Sequence, residues 1–377
     1  MARSVDDGLS TAVRTPRPAA ATGEHPTGSF RASRFRITPY VRIARPDHWF
    51  KNAFMLLGML LAVFYDSSLL VWEAFPAVIL AIVATCMIAS SNYVMNEVLD
   101  APYDRMHPTK QLRPVASGQV LPAVAWIEWG SLAALGLVLA SLVSLPFLFT
   151  AVVFLIAATL YNVPPLRTKD LPYLDVLSES LNNPVRLFLG WFALVPDKVP
   201  PLTLTLAYWM AGAFFMATKR FAEYRSIRDR DVLVRYRRSF AWYTEENLLV
   251  SMFFYALTCA LLTGAFIVRY HVELVLFVPV AAGFLTHYLR LGLKENSSVQ
   301  NPEKLFRDRG FVTYALLSAA AFVLLMFLHV PSLYELFNIN PAPVEPLWTI
   351  GGALGSGLNN QPGRTEAERV APTTAWS

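Results

Sequence analysis

Long apolar runs alternate with short polar connectors along most of the chain, and the runs are too long for strands. Crossing roughly 30 Å of hydrocarbon takes about 17 to 25 helical residues. Nine runs fit that requirement closely: 49–64, 74–97, 120–143, 145–161, 173–195, 202–218, 248–268, 272–293 and 311–328. Only the turn Ser144, Leu145, Pro146 separates the third from the fourth. The pattern predicts an all-α integral membrane protein, a bundle of nine transmembrane helices within residues 41–330. Residues 1–40 are rich in Arg, Ala, Pro, Thr and Ser and hold no sustained apolar run, so they read as a disordered basic tail rather than a signal peptide. Residues 331–377 read as a Gly- and Pro-rich tail.

Lysine and arginine set the expected orientation. Connectors after the second, fourth, sixth and eighth runs carry Arg105, Lys110 and Arg113; Arg167 and Lys169; eight cations from Lys219 to Arg238; and five from Arg290 to Arg309. The alternate connectors hold only Lys198 and Arg269. The amino terminus and the chemistry therefore belong on the cytoplasmic side of the inner (plasma) membrane, and the carboxyl terminus outside.

Composition narrows the function classes. With 55% hydrophobic and 16% charged residues, much of the surface faces lipid. The net charge of +5 resides mainly in the tail and short connectors, which fits a membrane surface or a phosphate-bearing ligand; no nucleic-acid partner is expected. Cys86 and Cys259 lie far apart inside apolar runs, so neither a disulfide framework nor a zinc site is expected.

The chemistry-bearing stretch closes the second run. Asn96, Asp100 and Asp104 recur every four residues and share one helix face. Carboxylates projecting together into low dielectric repel unless cations join them, and Mg²⁺ held by one or two carboxylates plus substrate phosphates meets that need. Arg105, Lys110 and Arg113 follow and suit the remaining phosphate oxygens. Pro102 lies between the two aspartates and predicts a kink or restart, with the carboxylates converging through a turn.

At these residues the sequence resembles the UbiA superfamily of membrane prenyltransferases, whose first aspartate-rich motif is Asn-Asp-x-x-Asp-x-x-x-Asp after the second of nine helices. Asn96, Asp100 and Asp104 match it, and Glu97 stands where the motif has its first Asp. The resemblance implies metal ligation by Asn96, Asp100 and Asp104. The family's second motif, commonly Asp-x-x-x-Asp after the sixth helix, is replaced here by Lys219, Arg220 and Glu223. That departure resembles the polyprenyl-phosphate phosphoribosyltransferase branch. So do Arg45-Pro46-x-x-Trp49-x-Lys51-Asn52, His107-Pro108-x-Lys110 and the stretch Asn301 to Arg309. The resemblance implies substrate contacts for Lys51, Asn52, Arg105, Lys110, Arg113, Lys219 and Arg220, with Glu223 supporting the metal or orienting a basic neighbour.

Inside the fifth run, Glu179, Asn182, Asn183 and Arg186 fit one interior face. Intramembrane ionisable groups normally face a cavity or one another, so Arg186 is a further candidate phosphate ligand, with structural pairing an equal alternative. The favoured expectation is Mg²⁺-assisted transfer of a 5-phosphoribosyl group from phosphoribosyl diphosphate to a polyprenyl phosphate. Transfer of the polyprenyl group from its diphosphate to an aromatic or lipid acceptor is the alternative on the same scaffold, and a membrane transporter is the alternative outside enzymes. Homo-oligomerisation is left open by the sequence.

Overall fold

The computed structural model describes residues 36–105, 110–295, 297–300, 305 and 307–339. Most of both expected tails lies outside this set. The parts inside it are helical: α1 (Thr38–Ile43) precedes the bundle and the short α13 (Pro331–Leu336) follows it. Helices between them are α2 (Met55–Tyr65), α3 (Phe75–Asp104), α4 (Pro122–Val143), α5 (Leu145–Asn162), α6 (Leu174–Ser180) and α7 (Asn182–Phe192). Next come α8 (Leu202–Ser226), α9 (Arg230–Tyr236), α10 (Glu245–Tyr270), α11 (Val278–Gly292) and α12 (Arg309–Phe327). No strand occurs among the described residues.

Seven helical stretches among these residues are long and apolar enough to cross a membrane, which makes this a multi-pass membrane protein. The two expected spans outside that set are 173–195 and 202–218. The first is broken into α6 and α7 at Leu181, with Pro184 in the first turn of α7 unable to donate an amide to a continuing helix. The Asn182 side chain bridges the break by donating to the Glu179 carbonyl at 2.9 Å. The second is the 25-residue α8, whose last two turns carry Lys219, Arg220, Glu223 and Arg225, and these lower its mean hydropathy.

The predicted turn at Ser144 is present. Its extended backbone separates α4 from α5, and its Oγ accepts from Phe147 N at 3.3 Å while donating to the Phe192 carbonyl at 3.0 Å. The expected break at Pro102 is absent: α3 stays helical to Asp104. Pro102 stands two residues from the helix end, so few downstream turns remain to be disturbed.

Small residues set the helix spacing that positions the site. A Cβ on Gly58 of α2 would stand 2.0 Å from the Leu187 carbonyl oxygen, and one on Gly190 of α7 would stand 2.0 Å from that of Met55. The two glycines face each other's backbone, so α2 and α7 cross in direct contact. Around that crossing Met55, Ile88, Phe147, Leu187 and Trp191 form the main buried core. A second core joins α8, α10 and α11 through Phe214, Phe221, Met252, Tyr255 and Tyr288.

Candidate active site

The last turns of α3 carry Asn92, Asn96, Asp100 and Asp104 at four-residue spacing, one per turn on a single face. The connector after α5 meets this face. Lys169, almost fully buried, donates to Asp100 Oδ1 at 2.6 Å and to Asn162 Oδ1 at 2.8 Å. Arg167 donates to the same Asp100 oxygen at 3.0 Å and pairs with Asp170 at 3.0 Å. Arg167 holds a φ of +28°, a backbone strain of about 1–3 kcal/mol that these two ion pairs keep in place. Burial pulls the Lys169 ammonium below the ordinary lysine pKa, and Asp100 opposes the fall.

Asn96 donates its amide to Asn162 Oδ1 at 2.9 Å. Asp104 is buried, and its Oδ2 accepts from Arg113 at 2.6 Å. Glu97 turns away from this row: its Oε1 accepts from Val115 N at 3.3 Å, which ties the connector after α3 to the helix. Arg105 donates Nε to the Ala116 carbonyl at 3.3 Å. Lys110 stacks over the Tyr236 ring at 5.0 Å, and burial, reinforced by Arg113, lowers its ammonium pKa.

A second group of charges comes from α6 and α8. Arg220 is fully buried, donating to Asp175 Oδ2 at 3.1 Å, to Glu223 Oε2 at 3.1 Å and to Glu179. Tyr243 and Ser239 also donate to Asp175, at 2.7 and 3.1 Å. One guanidinium therefore pairs with three carboxylates from two helices, and Arg237 adds a second positive charge 3.7 Å from Asp175. Arg220 thus sits as an internal counter-ion with Glu223 among its partners.

A third group differs because its cations form no ion pair among the described residues. Arg186 of α7 is buried; Nε donates to Asn52 Oδ1 at 2.9 Å, Nη1 donates to the Asn182 carbonyl at 3.2 Å, and the guanidinium lies 4.9 Å from the Phe154 ring centre. Asn52 in turn donates to Cys86 Sγ at 3.2 Å. Lys51 Nζ reaches His48 at 3.5 Å and lies 5.8 Å from the Tyr93 ring. Among the described residues neither these two cations nor Lys219 has a carboxylate within 4 Å, while the charges of Glu179, Arg186 and Lys219 all act on Lys51. Like charges held together without an ion-paired carboxylate suit an anionic ligand.

Sequence reasoning counted Arg167 and Lys169 only as orientation cations and passed over Asn92 and Asn162. Asn92 has both carboxamide atoms buried without a partner, one turn before Asn96. Its place in the four-residue register was the signal available. Asn162, by contrast, gave no such signal, because its contacts with Asn96 and Lys169 arise only when α5 packs beside α3.

The donor set suits Mg²⁺. Asn96, Asp100 and Asp104 offer hard oxygens, and the internal cations occupy Oδ1 of Asp100 and Oδ2 of Asp104, one oxygen of each carboxylate. No group of three His, Cys, Asp or Glu side chains gathers as a complete cage among the described residues. Mg²⁺ is commonly held by one or two carboxylates and completed by substrate phosphates and water. The orphaned Asn92 carboxamide marks the same face as prepared for a polar ligand.

Comparison with known proteins agrees with this geometry. Residues 52–318 match the model of the UbiA prenyltransferase family, and the chain belongs to that family. The decaprenyl-phosphate phosphoribosyltransferase of Mycolicibacterium smegmatis is 28% identical over 213 residues, 56% of this chain and 64% of that one. Its counterpart in Mycobacterium tuberculosis is 30% identical over 194 residues, 50% of this chain and 60% of that one. The chain thus matches somewhat under two thirds of the length of these curated relatives. A UbiA homologue from Archaeoglobus fulgidus bound to DMAPP and Mg²⁺ shares the fold, with a TM-score of 0.58 and 18% identity over 77% of this chain and all of that one.

Proposed function

We propose that this enzyme transfers a 5-phosphoribosyl group from phosphoribosyl diphosphate to a polyprenyl phosphate on the cytoplasmic side of the membrane. The observation that carries the reading is the set Lys51, Arg186 and Lys219, three cations with no carboxylate within 4 Å among the described residues, Lys51 lying over the Tyr93 ring of α3. Phosphoribosyl diphosphate brings phosphates at both ends and needs more counter-charge than an aromatic acid. The relatives named decaprenyl-phosphate phosphoribosyltransferase favour the same branch. Cytoplasmic placement rests on the lysine and arginine bias of the connectors.

Mg²⁺ would be held by Asn96, Asp100 and Asp104, where it supplies positive charge to a departing diphosphate. The chain's own residues do the rest. Lys51, Arg186 and Lys219 bind phosphate oxygens, with Lys110 and Arg113 at the mouth. Asn52 holds the Arg186 guanidinium in place through its 2.9 Å hydrogen bond. An oxygen of the polyprenyl phosphate attacks the anomeric carbon, the bond from that carbon to the diphosphate breaks, and the diphosphate takes the bonding pair. The nucleophile is already an anion and needs no general base. Preorganised cations stabilise the charge that develops on the leaving oxygen.

Prenyl transfer to an aromatic acceptor remains the second reading, since the Archaeoglobus homologue with the same fold was solved with DMAPP and Mg²⁺. Equilibrium binding tests the choice: purified protein should bind radiolabelled phosphoribosyl diphosphate in the presence of Mg²⁺, and Lys219→Gln should weaken binding about tenfold. Undetectable binding of phosphoribosyl diphosphate together with tight binding of a prenyl diphosphate would overturn it.

A further inference from the structure

We infer that Asn162 is a positioning residue: through it, Lys169 fixes which way the Asn96 carboxamide faces, and so presents the Asn96 oxygen to a divalent cation. The inference rests on the metal reading of the α3 face and adds a device to it. It follows from which atoms can donate. A lysine ammonium only donates, so at 2.8 Å from Lys169 Nζ the Asn162 side chain must present its oxygen. The other end of the same carboxamide agrees: at 3.0 Å from the Ala158 carbonyl, which only accepts, it must present its nitrogen.

With the Asn162 oxygen fixed by two independent partners, Asn96 has one choice at 2.9 Å: it must donate its amide nitrogen. Its own Oδ1 then lies on the opposite side of the carboxamide. Asn162 is 3% exposed, so water is poorly placed to replace any of these bonds. Lys169 also clamps Asp100 Oδ1 at 2.6 Å. A single ammonium thus orders two of the expected metal donors, one directly and one through Asn162. A freely rotating Asn96 would offer its nitrogen half the time, and a nitrogen bearing two hydrogens repels a cation. Partners that orient a metal ligand in this way are commonly worth about 10- to 100-fold in metal affinity.

A double-mutant cycle reads this directly in the full-length, detergent-purified protein, with Mn²⁺ as the probe, inorganic diphosphate present and binding followed by electron paramagnetic resonance. Asn162→Leu should weaken Mn²⁺ binding about tenfold. In the Asn96→Asp background the same change should have less than about a twofold effect, because a carboxylate offers an oxygen whichever way it turns. Asn162→Ala, which removes the acceptor without adding bulk, serves in the same cycle if the leucine variant loses its monodisperse gel-filtration profile. Equal losses in both backgrounds would mean that Asn162 merely supports the fold, and would overturn the inference. Normal Mn²⁺ binding by Asn162→Leu would also overturn it while leaving the metal reading intact; no Mn²⁺ binding by the unmodified protein would remove both.

Discussion

Residues of one charge do different work here according to their partners. Arg220 and Lys219 are neighbours in sequence, yet Arg220 is enclosed by Asp175, Glu179 and Glu223, while Lys219 has no carboxylate within 4 Å among the described residues. Removing Arg220 leaves buried carboxylates uncompensated, so Arg220→Met should cost about 3–5 kcal/mol of stability and lower the thermal unfolding midpoint in detergent. Lys219→Ala should leave that midpoint unchanged and raise the KM for phosphoribosyl diphosphate roughly tenfold, as loss of one charged contact to a phosphate would. Asp100→Asn should reduce turnover by about 10²–10³-fold, the scale for one preorganised charge-stabilising group, with a gel-filtration profile like that of the parent protein. Steady-state kinetics beside thermal melts would separate these three outcomes.

Helix pairing decides where those residues arrive. Asn52 reaches Arg186 because α2 and α7 touch at Gly58 and Gly190, where any side chain would collide with a carbonyl oxygen. Gly58→Ala and Gly190→Ala should each destabilise by about 1–3 kcal/mol through overpacking and weaken phosphoribosyl diphosphate binding as well. Gly264→Ala in α10, where a Cβ would meet nothing within 4 Å, should be neutral or stabilising by up to about 1 kcal/mol. This scale also marks how far the sequence could be read. The register Asn96, Asp100, Asp104 was legible because helical spacing alone places it on one face. The turn at Ser144 was legible from its Ser and Pro. The division at Leu181 was not, since an apolar run averages over one broken turn. Nor was the role of Arg220, whose carboxylates come from positions 175, 179 and 223 and meet only when α6 packs on α8. Asn162 was invisible for the same reason, lying 66 positions from Asn96.

Across the whole molecule, Asp100 and Asp104 of α3 and Asp175 and Glu179 of α6, at the proposed catalytic end, have ion-pair partners, while Lys51, Arg186 and Lys219 have none within 4 Å among the described residues. Asp100 and Asp104 have internal cations, so the fold does not depend on a metal to relieve carboxylate repulsion. Chelation should therefore abolish turnover while leaving the protein folded, its unfolding midpoint falling only by the amount that loss of one bound ligand brings, and added Mg²⁺ should restore activity without refolding. The cations without ion-pair partners argue for a substrate with several phosphates, and the apolar surface of the membrane-crossing helices suits a co-substrate that arrives through the bilayer. The decisive measurement is turnover by purified protein with Mg²⁺ and two substrate pairs: polyprenyl phosphate with phosphoribosyl diphosphate, and polyprenyl diphosphate with an aromatic acid. Release of diphosphate with the first pair alone, accompanied by a phosphoribosylated lipid, is the expected result; release with the second pair alone, giving a prenylated aromatic product, would contradict it.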